Sequence, residues 1–301
     1  MLCSKIIFRG VIAILVAFCL LNSGCGREKT ATDYYNSGNS YYDHRKYDKA
    51  IEEYTKSIEL DPNLHQVYNN RGDAYMQIEK YDLAADDYTK AIEIKPDYVD
   101  AYTNRGVAYR LQSQYEKALA DCNKVIELNP NDAEAYSNRA WIYELLREDD
   151  KRIADYNKAI ELNPNDITSC INLGYTYVKL EQYENAVSAF SKAIEINPDY
   201  PVYDKRGEAY QAIKEYDKAI ADFNKAIELE PDYYKQYFKR GNAYQSLEKY
   251  DLAINDYNKA IELKPYFGEA YYHRGKCYEA IGETEKAKAD YEKAKELGYS
   301  G

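Results

Sequence analysis

The sequence predicts an all-α fold in which eight helix–turn–helix repeats stack into one array. Three observations carry that expectation. Seven of the eight prolines, at 62, 96, 130, 164, 198, 231 and 265, are spaced 34 residues apart with a single gap of 33. A tyrosine recurs at one place in every period: Tyr41, Tyr75, Tyr109, Tyr143, Tyr177, Tyr210, Tyr244 and Tyr278. Small residues recur at two further places. Self-similarity at such a period marks units that bury their apolar faces against neighbours rather than in one globular core.

Blocks that begin three residues after each proline run 31–64, 65–98, 99–132, 133–166, 167–200, 201–233, 234–267 and 268–301. Sites within a block are numbered 1 to 34, the sixth block lacking one residue near its start. Site 8 is Gly38, Gly72, Gly106, Ala140, Gly174, Gly207, Gly241 and Gly275, and site 20 is alanine in every block except the fourth, which has Arg152. Small groups at those sites let the two helices of a block cross closely. Large residues at sites 4, 11, 17 and 24, as in Tyr102, Tyr109, Tyr115 and Cys122, recur at helical spacing and fill the space around the crossing. Most of the 36 tyrosines are thereby explained as packing. The second helix stops at Asn-Pro-Asn-Asp or a variant of it, because the residue before proline is pushed out of the helical region.

An aromatic at site 4, Gly at 8, Tyr at 11, Ala at 20, an aromatic at 24, Ala at 27 and Pro at 32 make residues 31–301 resemble a tetratricopeptide repeat (TPR) array. The resemblance implies a right-handed superhelical solenoid. Its concave face would be lined by the first helix of each repeat, chiefly at sites 2, 5, 6, 9, 12 and 13, and would bind protein segments. Sites 21 and 28 are apolar in the first seven blocks but are Lys288 and Lys295 in the eighth. This predicts a polar capping helix near 285–297, ended by Gly298.

Sites 7 and 23 vary together. They are Arg71 with Asp87, Arg105 with Asp121, Arg139 with Asp155, Arg206 with Asp222, Arg240 with Asp256 and Arg274 with Asp290, whereas block five has Leu173 with Ala189. We read these as structural ion pairs between the two helices of one repeat, each contributing roughly 0–1 kcal/mol if exposed. Block four carries Asp149 at site 17 and Arg152 at site 20. A bulky charge in place of alanine predicts a second helix that starts late or stands away from its partner, as a flexible point.

The first 25 residues differ in kind. Lys5 and Arg9 precede an apolar run from Val11 to Leu21, followed by Asn22, Ser23, Gly24 and Cys25. A basic start, a short apolar core and a small-residue exit describe an export signal over residues 1–24 rather than a membrane span, which needs about 20 apolar residues. Cys25 after Ser23-Gly24 resembles the lipobox of bacterial lipoproteins, which implies lipidation at Cys25 and a lipid-anchored mature chain. Asn22 departs from the apolar residue which that motif prefers, so an uncleaved anchor or ordinary signal cleavage stays open. Residues 25–30 would then be the lipidated cysteine and a short linker. Gly26 is not the aspartate that retains lipoproteins in the inner membrane of enteric bacteria, so the expected address is the outer membrane facing the periplasm.

Composition narrows the function. Without Lys5 and Arg9 the chain has 38 basic and 51 acidic residues, a balance of −13, which argues against nucleic acid and against adsorption to anionic lipid. Cys122, Cys170 and Cys277 fall in different repeats and are expected as buried free thiols. The three histidines are scattered, no Gly-rich phosphate loop occurs and no Cys/His spacing suits a metal. We therefore expect no enzyme, no cofactor and no metal site.

The expected groove residues start with site 6: Asn36, Asn70, Asn104, Asn138 and Asn172, then Lys205, Lys239 and His273. A row of amides can bind an extended backbone without reading its sequence. It resembles the asparagine ladder of the O-linked N-acetylglucosamine transferase, though asparagine could equally serve the fold. Val107, Leu111, Trp141, Leu145, Ile171, Tyr175 and Val178 form an apolar stretch that would hold an anchor side chain, unless some of them pack within the repeat. Lys205, Lys239 and His273 make one end basic, which suits an acidic ligand terminus or is simply solvated charge.

Together these point to an exported, lipid-anchored adaptor or scaffold for protein segments in assembling an envelope complex, such as a pilus secretin or outer-membrane proteins. A cell-wall scaffold that recruits peptidoglycan enzymes and a passive spacer are the alternatives. Homo-oligomer formation through the tyrosine-rich flank is left open.

Overall fold

The computed structural model describes residues 28–301, so the predicted signal at 1–24 and the lipidation site Cys25 lie outside the described residues. Two compact units divide the chain after Leu128. The first holds α1 (Ala31–Asp43), α2 (Tyr47–Leu60), α3 (His65–Gln77), α4 (Tyr81–Ile94), α5 (Val99–Leu111) and α6 (Tyr115–Leu128). In the second are α7 (Ala133–Leu146), α8 (Asp149–Leu162), α9 (Ile167–Lys179), α10 (Tyr183–Ile196), α11 (Tyr203–Ala212), α12 (Tyr216–Leu229), α13 (Tyr234–Ser246), α14 (Tyr250–Leu263), α15 (Gly268–Ala280) and α16 (Thr284–Glu296). The described residues contain sixteen helices and no strand. Consecutive helices pair as antiparallel hairpins, and in each unit every hairpin packs on the next.

Why the hairpins close is visible in the site 8 glycines. A Cβ placed on Gly174 would stand 2.5 Å from the Phe190 ring, and one on Gly241 would stand 2.7 Å from Tyr257. The site 24 rings Tyr54, Tyr88, Phe190, Phe223 and Tyr257 pack against these glycines, and they and Tyr156 are 0–1 % exposed. Burying such rings is the main apolar contribution of each repeat.

The turn between the helices repeats as faithfully. Arg45, Glu79, Ser113, Arg147, Glu181, Lys214, Glu248 and Gly282 all have positive φ, between 56° and 81°. They all occupy site 15. The following N–H donates to the carbonyl of the site 11 tyrosine, for example Lys80 to Tyr75 and Glu215 to Tyr210, both at 2.9 Å. This is the Schellman closure, which satisfies carbonyls that a helix end leaves open. The site 11 tyrosine thus closes the turn through its backbone, while its ring packs beside the site 7 arginine. After α16 the same closure uses Gly298 at φ 82°, with Tyr299 N–H donating to Ala294 O at 2.9 Å. Lys288 and Lys295 are exposed on that helix.

The Asn-Pro-Asn-Asp stops also start the next helix. Asp132 and Asp166 accept from the backbone N–H of Ala135 and Ser169 at 3.1 Å, capping α7 and α9. Thr30 and Asp33 form a reciprocal capping box at α1.

Repeat four corrects the expectation of a late second helix. α8 begins at Asp149, the site where the other second helices begin, and Arg152 is 1 % exposed within it. Its guanidinium lies 3.2 Å from Glu144 and 2.8 Å from Asp149, so two carboxylates face the buried charge although Nε and Nη2 make no hydrogen bond. The same repeat has Ala140 instead of glycine at site 8, and it too is fully buried.

Candidate functional site

The six Arg–Asp pairs come together as bidentate bridges. Nε and Nη2 of Arg206 donate to the two oxygens of Asp222 at 2.8 and 2.7 Å, and Arg71, Arg105, Arg139, Arg240 and Arg274 do the same with Asp87, Asp121, Asp155, Asp256 and Asp290 at 2.6–2.9 Å. These are not surface bridges. The aspartates are 4–6 % exposed, which moves them out of the weak, screened class. Arg71, Arg105, Arg139, Arg206 and Arg274 also lie over the site 4 and site 11 tyrosines, as Arg105 does over Tyr102 and Tyr109 at 5.4 and 5.7 Å, and Arg240 lies over Tyr237. A further bond escapes any reading within single repeats. Nη1 of Arg71, Arg105, Arg206, Arg240 and Arg274 reaches back to Thr55, Thr89, Ser191, Asn224 and Asn258 at site 25 of the preceding repeat, at 2.7–3.0 Å. The arginines tie repeat to repeat, and none is free for a ligand.

In the first unit the asparagine row is built by the same kind of backward bond. Asn70 Nδ2 donates to Asn39 Oδ1 at 3.0 Å and to Tyr35 Oη at 3.2 Å, and Asn104 Nδ2 donates to Asp73 Oδ1 at 3.0 Å and Asn69 Oδ1 at 3.3 Å. Both protons of each amide are committed, leaving Oδ1 as the group that can still accept. Asn36, in the first repeat, is exposed. The acceptors at site 9 are themselves fixed by the site 24 hydroxyls: Tyr54 donates to Asn39 and Tyr88 to Asp73, both at 2.7 Å. Burial pushes the Asp73 carboxyl above its ordinary range, against the hydrogen bond from Tyr88. Asn39, Tyr42, Asp43, Tyr54, Asn70 and Asp73 line a polar cleft of about 310 Å³. The sequence held an overlooked signal for this network. Tyrosine at site 24 accompanies Asn or Asp at site 9 in repeats one, two and seven, where Tyr257 donates to Asn242 at 2.8 Å, while Cys122, Phe190 and Phe223 accompany Val107, Tyr175 and Glu208; repeats four and eight, with Tyr156 opposite Trp141 and Tyr291 opposite Lys276, depart from it.

Of the expected apolar residues, Leu111 and half-buried Val107 belong to the first unit, where Leu111 is 43 % exposed. In the second, Trp141 is 47 %, Leu145 40 % and Tyr175 44 % exposed, Tyr175 standing edge-on to Phe190. Ile171 is a correction: it is 7 % exposed and belongs to the core of the second unit, against which Val178 also packs. Asn138 and Asn172 are half-buried, Asn172 standing near Tyr156 of the preceding repeat.

The basic end is not a free positive patch either. Lys239 Nζ donates to Asp204 at 2.8 Å and pairs with Glu208, and Lys205 lies 3.3 Å from Asp204 and 3.6 Å from Glu208. Two lysines thus face two carboxylates. His273 bonds to Gln245 at 3.0 Å with Phe238 edge-on at 5.4 Å, and burial together with Lys276 pushes its imidazole down to about 4. It is neutral at physiological pH. Lys239 and His273 look onto the preceding repeat, whose site 5, 9 and 12 groups meet them, while Lys205 meets the site 5 and site 9 carboxylates of its own repeat.

Cys122, Cys170 and Cys277 are buried, and burial pushes Cys277 up to about 12. Among the described residues no cluster of three His, Cys, Asp or Glu could hold a metal, and no helix is long and apolar enough to cross a membrane.

Sixteen helices paired as hairpins, with the site 8 and site 24 contact repeated down the chain, define a helical-repeat protein. Family models described as Tetratricopeptide repeat match residues 99–132, 122–154, 167–200, 205–233, 234–267 and 268–297, and a TPR repeat model matches 38–78 and 72–113. The chain belongs to the tetratricopeptide repeat family, whose members mediate protein–protein interaction. Among solved structures it is similar to the MamA protein, with 29 % identity over 55 % of this chain and 91 % of that one and a TM-score of 0.53. A TPR protein from Cytophaga hutchinsonii shares the fold with a TM-score of 0.70 at 19 % identity, over 79 % of this chain and 98 % of the other. YrrB, a TPR protein described as having an unusual peptide-binding site, shares it with a TM-score of 0.52 at 22 % identity, over 61 % and 95 %. No curated protein matches the chain.

Proposed function

We propose that this chain is a non-enzymatic adaptor of the cell envelope, anchored by lipid at Cys25, that holds an extended protein segment along the first helices of its repeats. The observation that carries this is the state of the Asn70 and Asn104 amides. Their protons are held by the preceding repeat and their oxygens are left to accept, about one repeat apart on the same site. Fixed acceptors in a row suit the N–H groups of an extended main chain, and their orientation is set before any ligand arrives. Trp141 and Tyr175 supply exposed aromatic contact area in the second unit. The process we favour is assembly of an envelope complex, at the outer membrane and facing the periplasm where the cell has one.

Photo-crosslinking in native cells from positions 104 and 141, with exposed Glu116 and Asn157 on the second helices as controls, tests the reading. A discrete protein captured only from 104 and 141 supports an adaptor. Muropeptide-bound peptidoglycan enzymes among the products turn it into a cell-wall scaffold, and equal yields from all four positions reduce it to a spacer. Metabolic labelling with a fatty-acid analogue tests the anchor: label lost in Cys25→Ser supports it, and unlabelled wild-type protein removes it.

A further inference from the structure

The one irregular repeat makes a cleft of its own. Repeat six is a residue short, carries the eighth proline at 201, and has a first helix, α11, of 10 residues where the other first helices have 13 or 14. Helix α11 starts only at Tyr203, so part of the usual first turn is absent. Beside that point lies a cleft of about 230 Å³, walled by Pro201 and Tyr203, by Leu229 at the end of α12, and by Tyr233 ahead of α13. Gln236 in the first turn of α13 lines it as well. This side chain is 3 % exposed, and its Oε1 is shut off from solvent with no hydrogen-bond donor. Native proteins rarely leave a buried carbonyl unpaired, so a donor that enters this cleft gains a bond that nothing else there supplies.

Size and charge narrow the occupant. A cavity of about 150 Å³ holds one benzene ring, and drug-sized ligands need about 300 Å³ or more. A volume of 230 Å³ therefore suits a single aromatic side chain. The walls are a proline ring, two tyrosine rings and a leucine, which favour an aromatic body. Asp204 and Glu230 at the lining disfavour an anion, and Lys205, 3.3 Å from Asp204, disfavours a cation. A neutral donor meets neither penalty.

We infer that this cleft takes one tryptophan or tyrosine side chain of a bound peptide, with the indole N–H or phenol O–H donating to Gln236 Oε1. The inference rests on the peptide-holding role proposed above and names a specificity pocket within it. Its place in the repeat is where the 10-residue first helix lacks the opening turn of the 13- and 14-residue first helices.

The test uses the full chain in detergent, labelled with ¹⁵N-glutamine and titrated with N-acetyl-tryptophanamide, N-acetyl-tyrosinamide and N-acetyl-phenylalaninamide. The Gln236 side-chain amide signals, assigned by their loss in Gln236→Leu, shift with the tryptophan and tyrosine amides. Both bind about tenfold tighter than the phenylalanine amide, the factor one hydrogen bond supplies. Gln236→Leu, or Gln236→Met should the first variant fold poorly, brings the three to parity. Equal binding by wild type, no shift at Gln236, or an undiminished preference in both variants overturns the proposal. None of these probes needs the natural partner. A peptide captured at position 104 with a silent Gln236 sinks the cleft alone, and a responsive Gln236 without any captured protein sinks the adaptor alone.

Discussion

In repeat six, Arg206 lies between Tyr203 and Tyr210, bridges Asp222 with two hydrogen bonds and reaches Ser191 with a third. In repeat five the matching sites 4, 7 and 23 hold Cys170, Leu173 and Ala189, which are 0 %, 5 % and 7 % exposed and share one apolar core. The backbone accepts both solutions, so the buried ion pair is not what makes a repeat fold. Desolvating two charges costs several kcal/mol per ion, roughly what their attraction and hydrogen bonds return, and an apolar set of similar volume does as well. What the arginine adds is the bond to the preceding repeat, which fixes how one hairpin sits on the last. Repeat five obtains that attachment by packing, through an apolar cluster that runs from Ala140 to Ala226.

The comparison is broken most strongly by removing half of a pair. Asp222→Ala leaves the Arg206 guanidinium buried and unanswered, and the expected loss is about 3–5 kcal/mol of stability in urea unfolding followed by circular dichroism. Converting repeat six into a copy of repeat five, with Tyr203→Cys, Arg206→Leu and Asp222→Ala together, should restore stability to within about 1 kcal/mol of wild type. A triple variant as weak as the single one would mean that the ion pair, and not the filling of space, holds the hairpin.

A second contrast sets repeat seven against repeat three. At Gly241 a methyl group would fall 2.7 Å from Tyr257, whereas at Gly106 the nearest atom, Asp121 Cβ, is 3.5 Å away because Cys122 takes the place of the ring. Gly241→Ala should cost about 1–3 kcal/mol by overpacking. Gly106→Ala should stabilise by about 0.5–1 kcal/mol, since alanine is the better helix former. Thermal melts of the two variants decide it. Equal losses would show that glycine is needed at site 8 for the backbone and not for the ring.

A third contrast runs along site 6. The charges of Lys205 and Lys239 are answered by Asp204 and Glu208, but His273 sits against Phe238, Tyr257 and Tyr272 with only Lys276 as a charged neighbour, and is held neutral. Its folded value of about 4 lies below the unfolded 6.5, so the unfolded chain takes up the proton first. The stabilisation due to neutral His273 is complete above about pH 6.5 and is lost as pH falls towards 4. The difference in stability between wild type and His273→Gln should shrink across that window, and a constant difference would mean that the imidazole is already charged.

How much of this could be read from the sequence depends on whether the residue answers to its own repeat or to a neighbour. Periodic substitution gave the hairpins and the pairing of Arg206 with Asp222, because those partners lie sixteen residues apart in every copy. Bonds that cross repeats were hidden: Arg206 to Ser191, Asn70 to Asn39, and Lys239 to Asp204 join unlike sites, and no single column of the repeat pattern displays them. That is why a basic stretch on paper became neutral ion clusters in space. Arg152 misled for a related reason, since a charge at a small-residue site reads as a defect until Glu144 and Asp149 are seen to face it.

The site 15 turn offers the smallest and most diagnostic test, comparing repeat two with repeat eight. Glu79 and Gly282 hold the same left-handed conformation, at φ 59° and 81°, but only glycine adopts it without crowding of Cβ. The left-handed region costs a non-glycine residue about 1–2 kcal/mol, and glycine gives back about 0.5–1 kcal/mol as lost chain entropy. Glu79→Gly should therefore stabilise by about 0.5 kcal/mol, and Gly282→Ala should destabilise by a similar amount, read as opposite shifts in the urea midpoint at constant slope. If Glu79→Gly weakens the protein instead, the glutamate side chain holds the turn through a contact worth more than its strain, and the sequence freedom at site 15 would reflect local compensation in each repeat rather than tolerance of the left-handed bend.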